Sequence, residues 1–313
     1  MKPVVTLGEN MGLFRANSVG SITHVSEFAL ATGGAEGNVA IALARLGTPV
    51  RWLGRVGDDP IGRRVLRELR AEGVEVVGIV DPNAATGLMV KEQRTADATR
   101  VLYYRAGSAG SRLSTEDLPA AGIPNASLLH VTGITPALSA SARGAVFEGV
   151  AAASSAGIPV SFDINHRASL WHEDPAPVYR QLAEKSDLVF AGDDEARILF
   201  PDQESPLALA HAISDLGPRQ VVIKLGAAGC VAVIDGAEYR REAIAVQTVD
   251  TVGAGDAFVA GYLAELLADL PVDARLTTAV TVGAFACLNS GDWEGFPTRD
   301  ELGILTRSEP VQR

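Results

Sequence analysis

The stretch with the clearest capacity for chemistry runs Asp250-Thr251-Val252-Gly253-Ala254-Gly255-Asp256-Ala257-Phe258. Gly253 and Gly255 let the backbone take conformations closed to other residues and let a ligand approach the main chain. The Ala-rich apolar run that follows predicts a helix over Asp256–Leu267. First-turn amides of a helix have no partner within it, and the helix dipole adds positive character there. Such a spot binds phosphate. A carboxylate beside a bound phosphate can take the proton from an attacking hydroxyl. Asp at a helix start is equally an N-cap, worth about 1 kcal/mol, and this stretch alone fits both readings.

Other candidates are weaker by themselves. Lys224-Leu225-Gly226-Ala227-Ala228-Gly229 follows an apolar strand, so Gly226 and Gly229 permit close approach of a nucleotide and Lys224 can reach a phosphate. A hairpin into Cys230–Ile234 needs the same glycines. Gly34 and Asn38 stand where a turn opens a helix, and turn geometry alone accounts for the glycine. Tyr103 fits an ordinary strand aromatic and Arg105 a solvated charge at a strand end. Asn289 fits a helix C-cap, and Asp292 a loop. Cys230 and Cys287 sit in apolar contexts and read as buried free thiols. The five histidines show no ligand spacing, which argues against zinc.

The elements that must hold these groups alternate between strand and helix. Val4–Gly8 and Val50–Val56 read as buried strands. Between them, Ala35–Leu46 carries the apolar spacing of a helix packed on a sheet and is stopped by Gly47. Ile61–Ala71 is an amphipathic helix ended by Gly73. From Leu128 the rhythm resumes: strands at Leu128–Val131, Val160–Asp163, Leu188–Ala191, Gln220–Lys224 and Cys230–Ile234, and helices at Ala140–Ala156 and Thr277–Leu288. This predicts an α/β fold with a mostly parallel sheet. Two segments, about 11–31 and 86–105, break the rhythm with Thr, Val, Tyr and Phe. They read as antiparallel strands outside the main sheet, serving as a lid or as edge hairpins. No repeat or long linker divides the 313 residues, so a single domain is expected.

Composition narrows the partners. The net charge is −11, and an acidic chain is poorly suited to nucleic acid, which needs clustered Lys and Arg. No apolar run approaches the roughly 20 residues that span a bilayer. The apolar start at residues 4–7 is too short for a signal peptide, so a cytoplasmic location is expected. The dinucleotide fingerprint fails, because Val4–Gly8 is followed by Glu9-Asn10-Met11-Gly12-Leu13-Phe14. The P-loop pattern is also absent.

Asp250–Phe258 resembles the C-terminal signature of the ribokinase-like (PfkB) carbohydrate kinases. Gly33-Gly34-Ala35-Glu36-Gly37-Asn38-Val39-Ala40-Ile41-Ala42-Leu43-Ala44-Arg45-Leu46-Gly47 resembles their N-terminal one. The resemblance runs over nearly the whole chain, in order. It implies a three-layer α/β core with a small β-sheet lid, ATP and Mg²⁺, and leaves monovalent-cation activation open. It implies that Asp256 is the base, and that Gly253, Ala254 and Gly255 form the anion hole for the transferred phosphoryl group. Asn165, Arg167, Lys224, Gly226, Gly229, Gly253, Gly255 and Asn289 would serve the nucleotide. Glu195 would influence Mg²⁺ through water.

Within that family the chain is most similar to kinases of 2-keto-3-deoxygluconate. The similarity rests on Gly33-Gly34-Ala35-Glu36 with Asn38, on Tyr103-Tyr104-Arg105 before Gly107-Ser108-Ala109-Gly110-Ser111, on Asp163-Ile164-Asn165-His166-Arg167, and on Gly291-Asp292. It implies phosphorylation at the primary (C6) hydroxyl, with Gly34, Asn38, Tyr103, Arg105, Arg167, Asp256 and Asp292 at the sugar. Arg105 and Arg167 suit a carboxylate, which guanidinium matches in a bidentate way. Two positions depart from the pattern. Met89 stands where such kinases carry a substrate-facing Tyr, and Gly192 stands where they carry the Asn of Asn-x-x-Glu. Fructose, ribose or a 5-dehydro-2-deoxygluconate-type acid are the alternative acceptors, and a sugar-acid sensor on a kinase scaffold is the non-enzymatic one. Exposed lid strands favour a homo-oligomer.

Overall fold

The computed structural model describes residues 1–95 and 98–306. Residues 96 and 97, inside the predicted 86–105 segment, lie outside the described residues.

In chain order the strands are β1 (Val4–Leu7), β2 (Met11–Ala16), β3 (Phe28–Gly33), β4 (Val50–Gly57), β5 (Glu75–Asp81), β6 (Leu88–Thr95), β7 (Ala98–Tyr104), β8 (Leu128–Thr132), β9 (Val160–Asp163), β10 (Leu188–Gly192), β11 (Gln220–Lys224), β12 (Cys230–Ile234) and β13 (Ala237–Arg241). Nine of them form one sheet in the order β13-β12-β11-β10-β9-β8-β1-β4-β5. From β11 to β5 every pairing is parallel, and the β12–β13 edge is antiparallel. Parallel strands are buried on both faces, and β1 shows it. Val4 packs with one core cluster and Val5 with the other, because successive side chains point to opposite faces. Helices Ala35–Arg45, Pro60–Ala71, Ala254–Leu267 and Val272–Ala286 cover one face. Helices Ala140–Ser155, Ala176–Glu184, Asp193–Leu199 and Pro206–Ser214 cover the other.

The remaining four strands make a separate sheet in the order β3-β2-β6-β7. Its own apolar cluster is small: Met11, Leu13, Ala31 and Met89, with Val101 against them. Among the described residues no helix is long and apolar enough to cross a membrane.

The chain runs outward from β1 to β4 and β5 on one side, and from β8 through β9 and β10 to β11 on the other. The switch therefore falls between β1 and β8. Open parallel sheets bind ligands beyond the carboxyl ends of their strands at such a point.

Three details differ from the sequence reading. The small sheet is not antiparallel throughout: its central pair, β2 with β6, is parallel, so the two segments join side by side in the same direction. The last long helices begin earlier than expected, at Ala254 and Val272. For the first of these, Gly253 takes a left-handed φ of 79° and occupies the cap position, so Asp256 lies inside the first turn. Cys230 is buried, but Cys287 is only half-buried, at the cap position just beyond the helix end at Ala286.

Candidate active site

The cleft beyond the strand ends is built from several loops. After β1 comes Glu9, and after β3 comes Gly34. β8 leads to Ile134, and β9 leads to Arg167. Gly253, at the end of its loop, and Asp256, in the first turn of the helix it caps, line the cleft together with Asp292. Met89, Lys91, Tyr103 and Arg105 enter from the small sheet. Gly34 caps the helix Ala35–Arg45, and a Cβ there would lie 2.3 Å from the carbonyl oxygen of Glu9. Only glycine fits this approach of two loops.

Asp256 is buried, yet it does not cap its own helix. Its Oδ2 accepts a hydrogen bond from Asn38 Nδ2 at 2.8 Å, and its Oδ1 accepts one from Asn165 Nδ2 at 3.0 Å. The two amides fix the carboxylate from opposite sides. Asn165 reaches it from a left-handed backbone, φ 39°, a conformation that Asn tolerates better than most residues. Asn38 is held in turn, its Oδ1 accepting the Gly34 amide at 3.4 Å. Burial raises the pKa of Asp256 above its ordinary 3.8, while the Asn38 bond and the Arg167 and Lys224 charges pull it down. The result is a positioned carboxylate with a free lone pair on each oxygen, which can accept a proton from a hydroxyl.

The cations around it are not equivalent. Arg105 is buried and donates from Nε and Nη2 to Glu9 Oε2 at 2.7 and 2.6 Å. The other oxygen of Glu9 accepts from Ser108. Arg105 also lies 5.7 Å from the centroid of the Tyr103 ring. Lys224 donates to both oxygens of Asp163 at 2.8 Å and stands about 3.5 Å from where a Cβ on Gly255 would be. Its pKa is raised; burial opposes the charge, and Asp163 more than offsets it. Arg167 donates to the carbonyl of its neighbour His166. Among the described residues it has no carboxylate within ion-pair distance. Burial opposes its charge, but Asp256, Tyr103 and Glu195 more than offset this, so its pKa is raised.

Other expected residues stand elsewhere. Glu195 accepts the His166 amide on Oε1 at 2.8 Å and the Gly192 amide on Oε2 at 2.7 Å. It thus ties the β9 loop to the start of the helix Asp193–Leu199. Gly226 and Gly229 lie in the tight connection between β11 and β12. At Gly229 a Cβ would come within 2.0 Å of the Arg241 carbonyl, so packing alone explains that glycine. Asn289 lies beyond the helix end at Ala286, against Gly295, and does not line the cleft. Asp292 does line it. Burial pushes its carboxyl up to about 7 against the pull of Lys91.

Sequence reasoning missed Glu9, Glu36, Lys91 and Asp163. Glu36 is buried below the cleft and accepts from Thr132 and Thr135, both at 2.6 Å on Oε1. Burial raises its pKa. Glu36 and Asp163 sat inside motifs already singled out. Lys91 was marked only by falling two residues after Met89, on the same face of β6.

Residues 1–299 match the pfkB family of carbohydrate kinases. The chain belongs to that family and is a sugar kinase. It is 38% identical over 311 residues to a 2-dehydro-3-deoxygluconokinase of Bacillus subtilis, covering 97% of this chain and 95% of that one. It is 34% identical over 307 residues to a 2-dehydro-3-deoxygalactonokinase of Haloferax volcanii, covering 97% and 96%. The fold is similar to the crystal structure of a PfkB protein from Polaromonas sp. JS666, at 35% identity and a TM-score of 0.87, covering 97% and 99%.

Proposed function

We propose that this chain transfers the γ-phosphoryl group of ATP to the primary C6 hydroxyl of 2-keto-3-deoxygluconate, with Asp256 as general base. The observation that carries the substrate is Arg167. It is a guanidinium in the cleft with no carboxylate partner among the described residues, a few residues from the Asn that holds Asp256. A sugar acid supplies the missing anion in bidentate form. A neutral sugar would leave that guanidinium without a directed ion-pair partner. Arg105, already matched by Glu9, contributes directed donors rather than net charge.

The sugar hydroxyls would meet Gly34, Asn38, Tyr103 and Asp292. The acceptor hydroxyl loses its proton to Asp256 as it attacks the phosphorus. The negative charge on the moving phosphoryl group is met by the main chain of Gly253, Ala254 and Gly255 at the helix start, aided by the nearby Lys224 ammonium. ATP would run from there past Asn165 toward the Gly226–Gly229 connection and Asn289. Mg²⁺ bound with ATP would neutralise phosphate charge. The donor set fits an ion held largely by phosphates and water. Among the described residues there is no cluster of three or more His, Cys, Asp or Glu to cage it directly. Glu195, fixed by two backbone amides, keeps a lone pair on each oxygen for a metal-bound water. Residues 1–313 act as one kinase domain in this reading. The strands in 11–31 and 86–105 form the lid, and its exposed face, which includes Tyr104, pairs two copies.

The test is turnover under the same ATP with 2-keto-3-deoxygluconate, its galactonate epimer, 5-dehydro-2-deoxygluconate and fructose. The reading expects the highest kcat/KM for the 3-deoxy-2-keto acids. A clear preference for fructose would defeat it.

A further inference from the structure

Strand β6 carries Met89 and Lys91 to the same face, as a spacing of two requires, and both line the cleft. Lys91 is 3% exposed, a position that lysine occupies only when its charge is paired. Its ammonium ion-pairs with Asp250 Oδ2 and lies 3.7 Å from Asp292 Oδ1. It also donates to the Gly291 carbonyl at 3.4 Å. None of these three partners belongs to the small sheet.

Each partner bears on the loop before Asp256. Asp250 begins that loop, and its Oδ1 accepts the Val252 amide at 3.2 Å. Its Oδ2, which also holds Lys91, is 3.5 Å from the Gly291 amide. Asp292 walls the loop from the other side. Its carbonyl oxygen lies where a Cβ on Gly253 would be only 1.9 Å away. Its carboxylate faces the cleft, and Oδ1 has no hydrogen-bond partner among the described residues. One ammonium from the small sheet therefore bears on the residue that opens the loop and on the residue that buttresses it at Gly253.

We propose that Lys91 is a positioning residue for phosphoryl transfer. By pairing with Asp250 and Asp292, it couples the seating of the small sheet over the sugar to the shape of the 250–253 loop. The proposal rests on the reading of residues 250–256 as the phosphoryl-transfer segment. Its physical basis is that a buried charge held by carboxylates on two chain segments fixes their separation, since moving either one leaves a charge unpaired in a dry site. Sugar-side contacts alone would change KM. A loop-positioning contact changes kcat, because misplacing reacting groups by about 1 Å costs on the order of 100-fold.

The test uses the full chain with ATP and 2-keto-3-deoxygluconate. Lys91→Met should lower kcat by about 10- to 100-fold, with a smaller change in the sugar KM. Lys91→Arg keeps the charge and should recover most of the loss. Lys91→Met leaves Asp250 unpaired and can fail to fold. The double variant Lys91→Met/Asp250→Asn removes both charges, and once shown folded by its melting curve it should show the same kcat loss. Wild-type kcat in either folded variant would overturn the proposal. So would a loss confined to KM, or a folded Lys91→Arg no better than Lys91→Met. Asp256→Asn run in parallel separates the two levels. If it loses turnover while Lys91→Met keeps it, only the Lys91 coupling falls. If Asp256→Asn keeps turnover, the reading beneath it falls as well.

Discussion

Replacing Gly253 with alanine tests whether the loop before Asp256 is shaped for catalysis. Two costs can be separated. The residue has φ 79°, and a left-handed L-residue costs about 1–2 kcal/mol. In addition, the new Cβ would sit 1.9 Å from the carbonyl oxygen of Asp292. Real Cβ atoms do not approach closer than 3.0 Å, so about 1.1 Å must open between two backbone segments. Gly236 supplies the control. It has φ 81° in the β12–β13 connection, with no atom within 4 Å of its Cβ position. Gly236→Ala should lose only the conformational term, about 1–2 kcal/mol by urea denaturation, and keep its kcat. Gly253→Ala should lose more stability. Its kcat at saturating ATP and sugar should fall on the order of 100-fold, because in the proposed reaction the shift acts on the groups that would meet the phosphoryl oxygens. Equal stability loss in the two variants with kcat unchanged in both would refute the reasoning.

Three further outcomes follow from the same geometry. Arg167→Gln should raise KM for the sugar acid by about 10- to 100-fold, the worth of charge-assisted hydrogen bonds of about 1.5–3 kcal/mol. Fructose turnover, measured side by side, should barely change. Lys224→Met strands the buried Asp163 and should cost about 3–5 kcal/mol in thermal or chemical unfolding. Adding Asp163→Asn should restore stability but not kcat. In the proposed reaction Asp256 acts as a base only when ionised, and burial raises its pKa above 3.8. The pH profile of kcat should therefore fall toward acid with a midpoint above that value. Asn38→Ala removes a bond that stabilises the ionised form and should move the midpoint further up.

Much of this arrangement was legible in the residues. Gly253, Gly255 and Asp256 marked a glycine-bearing turn into a helix, because glycine spacing and a helix start are local features. The main sheet was legible for a similar reason: buried parallel strands such as Leu188–Gly192 read as apolar runs. Edge elements were harder. β13 is charged and largely exposed, and β5 sits at the sheet margin with a mixed pattern. Local sequence also left Asp256 open between cap and base. The structure shows that it is not a cap: its carboxylate is held instead by amides from Asn38 and Asn165, 218 and 91 residues away. The pairings of Arg105 with Glu9 and of Lys91 with Asp250 were hidden likewise. A charge's partner depends on how distant loops converge at the sheet's switch point, and periodicity within one segment carries no record of it.

In the proposed reaction, turnover depends above all on Asp256 removing the proton from the acceptor hydroxyl. Asp256→Asn preserves the shape of the side chain and removes its basicity. Single-turnover phosphorylation by that variant should be slower by about 10²- to 10⁴-fold, while sugar binding measured by calorimetry stays near the wild-type value. Phosphorylation within a few-fold of wild type, with binding intact, would contradict it.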